Sequence, residues 1–145
     1  MAGCHRLVVT IVLACASFLG GPVLGQSTAP EPPGRWLPAA PTAVLQTLDK
    51  ITGRVRRVEA PVEQTIRFGT LDIMVRTCRQ RPPEEAPESA GFLEIREAKP
   101  GETPRTLFVG WMFASSPAVS ALEHPVYDVW IIECKMASPS GSSSR

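Results

Sequence analysis

An antiparallel all-β domain, either a sandwich or a partly open barrel of about seven strands, is the fold class this sequence predicts. Three observations carry it. Short segments alternate apolar and polar residues, Gly or Pro turns fall roughly every ten residues, and only one stretch, near residues 117–122, has the chemistry of a helix start. A chain of 145 residues, 43% hydrophobic and 20% charged, suits a single folded domain and excludes collagen, coiled coil and wholesale disorder.

The domain is expected over 44–135. Leu45 to Lys50 reads as a strand, Ile51-Thr52-Gly53 as a turn, and Arg54 to Ala60 as the returning strand of a hairpin. Gln64 to Phe68 is a short strand and Gly69 turns the chain. Thr70 to Arg79 follows, with Leu71, Ile73 and Val75 on one face and Asp72 and Arg76 on the other, the clearest alternation in the sequence. The stretch from Arg81 to Glu88 holds three prolines and three acids and cannot continue a central strand, so it reads as an exposed loop. Gly91 to Ala98 sets Leu93 and Ile95 against Glu94 and Arg96. Lys99 to Pro104 turns, and Thr106 to Ala114, apolar on both parities, is expected to be a central, fully buried strand. Ser116 as N-cap and Pro117 at the first helical position predict a one- to two-turn helix that Pro125 stops. Val126 to Lys135 is the final strand.

Outside the domain, the chain begins with MAGCHR and the apolar run Leu7 to Leu19, the n- and h-regions of an export signal, and Gly20-Gly21-Pro22 breaks any helix ahead of a cleavage site expected after Gly25. The run is shorter than the roughly 20 apolar residues a membrane span needs, so no permanent transmembrane span is expected. A minor alternative is lipid anchoring at Cys15, within a loose match to the box where a bacterial cysteine is lipid-modified. Residues 26–43 hold five prolines and read as an extended linker and spacer, with Trp36-Leu37 as an apolar pair able to dock. The Ser-rich tail 136–145 is expected to be disordered.

The formal net charge is +1, which removes the signature of a protein that coats nucleic acid by charge alone; no nucleic-acid partner is expected. The charge is unevenly spread. Lys50 to Arg81 holds eight bases and three acids, and Pro82 to Asp128 three bases and eight acids, a pattern that facing strands produce by pairing across a sheet.

Cys4 and Cys15 fall in the export segment, leaving Cys78 and Cys134. An even pair in an oxidising compartment is most simply a disulfide, and the Cys-x-x-Cys spacing of thiol-disulfide enzymes is absent. Parity within the last strand places Cys134 beside Trp130 and Ile132, against an indole. His124 is the single histidine after the export segment, which leaves no multi-histidine metal site and implies no cofactor. Ser115, Ser116, His124 and Asp128 offer the residue types of a nucleophile, its base and an orienting acid, but no Gly-x-Ser-x-Gly elbow accompanies them. Flanked by Glu123 and Pro125, His124 reads more simply as a loop anchor. Trp111, Phe113, Tyr127 and Trp130 read mainly as core, with Tyr127 the best candidate for exposure.

The strings Leu48-Asp49-Lys50-Ile51-Thr52-Gly53-Arg54, Phe68-Gly69-Thr70-Leu71, Gly110-Trp111-Met112-Phe113-Ala114-Ser115-Ser116-Pro117 and Leu122-Glu123-His124-Pro125-Val126-Tyr127-Asp128, with Cys78, resemble the bacterial family known as domain of unknown function 2155. That resemblance implies a small exported protein of Gram-negative bacteria, a periplasmic location and the cysteine pair, and it names no catalytic residue. The expectation is therefore a periplasmic, non-catalytic binding or structural protein. It would contact an envelope protein or cell-envelope component through Ser115, Ser116, Glu123, His124, Tyr127 and Asp128. A hydrolase-like envelope enzyme using His124 with a nearby Ser or Asp is the alternative.

Overall fold

A computed structural model describes residues 31–136. Residues 1–30, which hold the expected export signal with Cys15 and the start of the expected linker, and residues 137–145 of the tail lie outside them. Seven strands run in order: β1 (Thr42–Asp49), β2 (Arg54–Pro61), β3 (Thr65–Phe68), β4 (Leu71–Gln80), β5 (Ser89–Glu97), β6 (Arg105–Phe113) and β7 (Tyr127–Lys135). They form two antiparallel sheets, ordered β2-β1-β7 and β3-β4-β5-β6, packed as a sandwich with no closed barrel.

Alternation sets the core. Leu71, Ile73 and Val75 of β4, Leu93 and Ile95 of β5, and Leu45, Val129 and Ile131 of the facing sheet are all buried. Burying one such side chain contributes about 1.5–3 kcal/mol. Gly91 lets the sheets approach, since a Cβ there would lie 2.6 Å from Ile131 Cδ1.

The cysteine pair is a disulfide, with Cα atoms 5.6 Å apart and both side chains buried. Two β-bulges put it there. The register of β4 on β5 shifts between Val75 and Thr77, and that of β7 on β1 passes from Glu133 to Ile131, leaving Arg76 and Ile132 as extra residues. Each bulge inverts the parity that follows it. Cys78 thus joins the inward face of Val75, and Cys134 that of Ile131. Uncorrected alternation puts Cys134 beside Trp130; the bulge at Ile132 overturns that placement.

Three further expectations change. β6 is an edge strand, exposed or half-buried over most of its length, with Val109 56% exposed; two-sided apolarity does not by itself distinguish a centre from an edge. The helix is a single 3-10 turn at Pro117–Ser120, and Ser116 makes no side-chain cap hydrogen bond. Residues 31–41, read as a spacer, lie on the domain. β3 covers only Leu71–Met74 of the β4 edge, and beyond it the backbone N–H groups of Ala40 and Leu37 donate to Cys78 and Gln80 carbonyls at 2.8 Å. Arg81 stacks over the Trp36 ring at 5.0 Å, and Arg79 donates to Leu37 O at 3.2 Å and pairs with Glu31. Free strand edges are otherwise available to other chains, and this strap occupies one.

Candidate functional site

The β1–β2 turn, the β3–β4 turn and the start of β7 meet at one end of the sandwich. In the first, Asp49 Oδ1 accepts from the backbone N–H groups of Ile51 at 2.9 Å and Thr52 at 3.1 Å. The Thr52 hydrogen bond holds the Asp49 carboxyl below its ordinary range. In the second, Gly69 sits at φ +58°, and a Cβ there would lie 2.4 Å from the Tyr127 hydroxyl oxygen. Glycine is thus required twice over, by the left-handed backbone and by the ring laid against it. Gly69→Ala is expected to lose about 1–2 kcal/mol from the backbone alone and to displace Tyr127, visible as a lowered urea midpoint together with shifted Tyr127 ring resonances.

Behind Tyr127 stands a fixed support. Its ring stacks on His124, centroids 5.2 Å apart and 11° from parallel, and meets Phe68 edge-on at 5.1 Å. His124 is buried. Its Nδ1 accepts from the backbone N–H groups of Val126 at 3.2 Å and Tyr127 at 3.0 Å. That assigns the ring hydrogen to Nε2, which donates to Glu97 Oε1 at 3.1 Å. Lys50 closes the loop from outside, donating to His124 O at 3.0 Å and pairing with Asp128 at 2.7 Å. Glu97, 5% exposed, also receives Lys99 and Arg105, each at 3.0 Å. With His124 as the leading donor, these contacts bring its carboxyl down to about 2.

The Ser, His and Asp of the sequence do not converge. Ser115 directs its amide and hydroxyl to Glu88, which precedes β5, whereas His124 bonds Glu97, the last residue of β5. About 25–30 Å of strand separates those anchors. Ser116 touches Ser115, Oγ to Oγ at 3.4 Å, and shares that far end. With Nδ1 occupied by two backbone donors and Nε2 turned to Glu97, His124 presents no open lone pair for a general base; it anchors its loop and positions Tyr127. Asp128 serves Lys50, and Glu123 is exposed at the rim. Tyr127 is half-buried rather than free, because its ring stacks on His124 and meets Phe68 edge-on. Trp111 packs edge-on against Phe92 at 5.6 Å, so it belongs to a different cluster.

Sequence reading missed the arginines of this end. Arg54 and Arg56 share β2 parity with half-buried Val58 and buried Ala60, and Arg56 pairs with buried Thr47 across β1. They therefore stand on the face of β2 that looks toward the other sheet. With Asp49, Thr52, Arg67, Phe68, Gly69 and Tyr127 they line a cleft of about 280 Å³. Arg67 donates to Ala98 O at 2.9 Å and lies 3.7 Å from Asp72. The guanidinium groups of Arg54 and Arg56 make no hydrogen bond to any described residue. Two adjacent bases at alternating positions of an otherwise apolar-facing register were the available signal.

The model of the family described as an uncharacterized protein conserved in bacteria, domain of unknown function 2155, matches residues 43–134. The chain belongs to this family. The match spans all of β2 to β6 and nearly all of β1 and β7, and so includes every residue lining the cleft. An uncharacterized protein of Rickettsia prowazekii (strain Madrid E) is 30% identical over 87 residues, covering 60% of this chain; the chain spans 56% of that relative's length. No solved structure matches. Among the described residues, no helix is long and apolar enough to cross a membrane.

Proposed function

We propose that this member of the family is an exported, non-catalytic binding domain of the cell envelope, stapled by Cys78–Cys134, which takes its partner at the end of the sandwich where Tyr127 stands. The observation that carries this reading is a cleft walled by Phe68 and Tyr127 and lined by three arginines, of which Arg54 and Arg56 spend no guanidinium hydrogen bond on any described residue. Both arginines are exposed at the mouth of this cleft, where an anionic partner can reach them and their forked N–H donors can take its charge. Export rests on the leading apolar segment, and the periplasm on the family resemblance together with a buried disulfide.

The test is purification from the periplasm under crosslinking, with intact mass. A mass for Gln26–Arg145 less two hydrogens, and an envelope partner lost on Arg56→Glu but kept on Ser115→Ala, is the expected result. A lipidated N-terminus at Cys15 overturns simple cleavage. Partner loss on Ser115→Ala with retention on Arg56→Glu moves the binding face to the opposite end.

A further inference from the structure

We infer that the cleft between β2 and the β3–β4 turn binds a phosphate ester, with the phosphate oxygens on Arg54 and Arg56 and the attached carbon skeleton against Phe68 and Tyr127. This rests on the binding reading above and specifies its ligand.

The charge balance points to an anion. Three guanidinium groups and one carboxylate line the cleft, and Asp49, that carboxylate, already accepts two backbone N–H groups of its own turn. Arg67 is partly neutralised by Asp72, and Arg54 faces the Asp49 carboxylate across the β1–β2 register and interacts with it electrostatically, so the cleft keeps a net positive charge, with Arg56 its cation lacking a described counter-charge. Guanidinium groups present planar forks of N–H donors that match phosphate oxygens in bidentate fashion. Their positions are two residues apart on one strand face, about 6–7 Å along the backbone, close enough for both forks to converge on a single tetrahedral group. Size limits the rest of the ligand. About 280 Å³ lies at the lower bound of small-molecule sites and suits a headgroup rather than a polymer. The aromatic wall is rigid, because Tyr127 is held by His124 and Phe68, and it offers flat apolar contact beside the charge.

A phosphate ester can arrive as a soluble metabolite or as a lipid headgroup, and the two share one chemical group. The experiment titrates the disulfide-intact protein, at fixed ionic strength, with inorganic phosphate, with glycerol 3-phosphate, and with phosphatidylcholine vesicles with and without phosphatidic acid. Arginine side-chain NMR shifts report the soluble ligands and co-sedimentation reports the vesicles. Saturable shifts of Arg54 and Arg56, with glycerol 3-phosphate binding more tightly than inorganic phosphate, are expected. The double variant Arg54→Gln/Arg56→Gln should weaken binding at least tenfold, while Arg57→Gln, on the outer face of the same strand, should leave it unchanged. Binding of glycerol 3-phosphate alone identifies a soluble source, and selective sedimentation with phosphatidic acid identifies a lipid source; both support the inference. Absence of saturable binding in every arm, or equal binding by the double variant at unchanged thermal stability, overturns it. If Arg56→Glu still loses its envelope partner in that case, the cleft remains the binding face and only the phosphate assignment fails.

Discussion

Loss of the disulfide in a Cys78→Ala/Cys134→Ala variant is expected to lower folding stability by about 4 kcal/mol, the chain-entropy value for a loop with the observed separation of 56 residues. A domain of this size has roughly 5–15 kcal/mol in all, so the loss is a large share. The bridge links β4 of one sheet to β7 of the other. Its removal frees the unfolded chain while leaving the native packing of both strands otherwise in place. Urea unfolding of the oxidised protein and the double variant measures the difference directly. A gap under 1 kcal/mol would show that sheet packing alone holds the sandwich and that the loop-closure account is wrong.

The second large effect is an acid-dependent loss centred on Glu97. His124, Lys99 and Arg105 lower its carboxyl from 4.5 to about 2, so the folded state favours the ionised form more strongly than the unfolded chain does. The resulting stabilisation is fully present above pH 4.5. It declines as pH falls from there through about 2 and is gone only below that value, where both states are protonated. Glu97→Gln keeps the shape and removes the titration. Wild type should therefore exceed this variant in urea midpoint at pH 6, and the two should converge as pH falls through 4.5 toward 2. A constant gap across that window would remove Glu97 as the source. Because His124 carries Tyr127, the same acid range should also loosen the aromatic wall of the cleft.

Much of the fold is legible from residue spacing because a strand writes its faces at a period of two. Leu71, Ile73 and Val75 declare an inward face, and Asp49 to Arg54 declares a tight hairpin. The disulfide follows from there being two cysteines, Cys78 and Cys134, outside the leading apolar segment. Reading fails where one residue breaks the period, as Ile132 does, and where a strand's rank in its sheet matters, since β6 is apolar without being central. The His124 anchor was legible from its proline-flanked loop, but its partner Glu97 was not, because the two meet only through the sandwich's return from β6 to β7. The same holds for the cleft. Arg54 and Arg56 look like ordinary surface charges until the register with Leu45 and Thr47 shows which face they occupy.

The paired bulges give the disulfide a further meaning. Cys78 and Cys134 reach each other only in chains whose β4 and β7 each carry their extra residue, Arg76 and Ile132, in the correct place. A strand slipped by one position points its thiol outward, away from its mate. The closed bond thus locks the register: neither β4 nor β7 can slip by one position while its sulfur stays joined to the other.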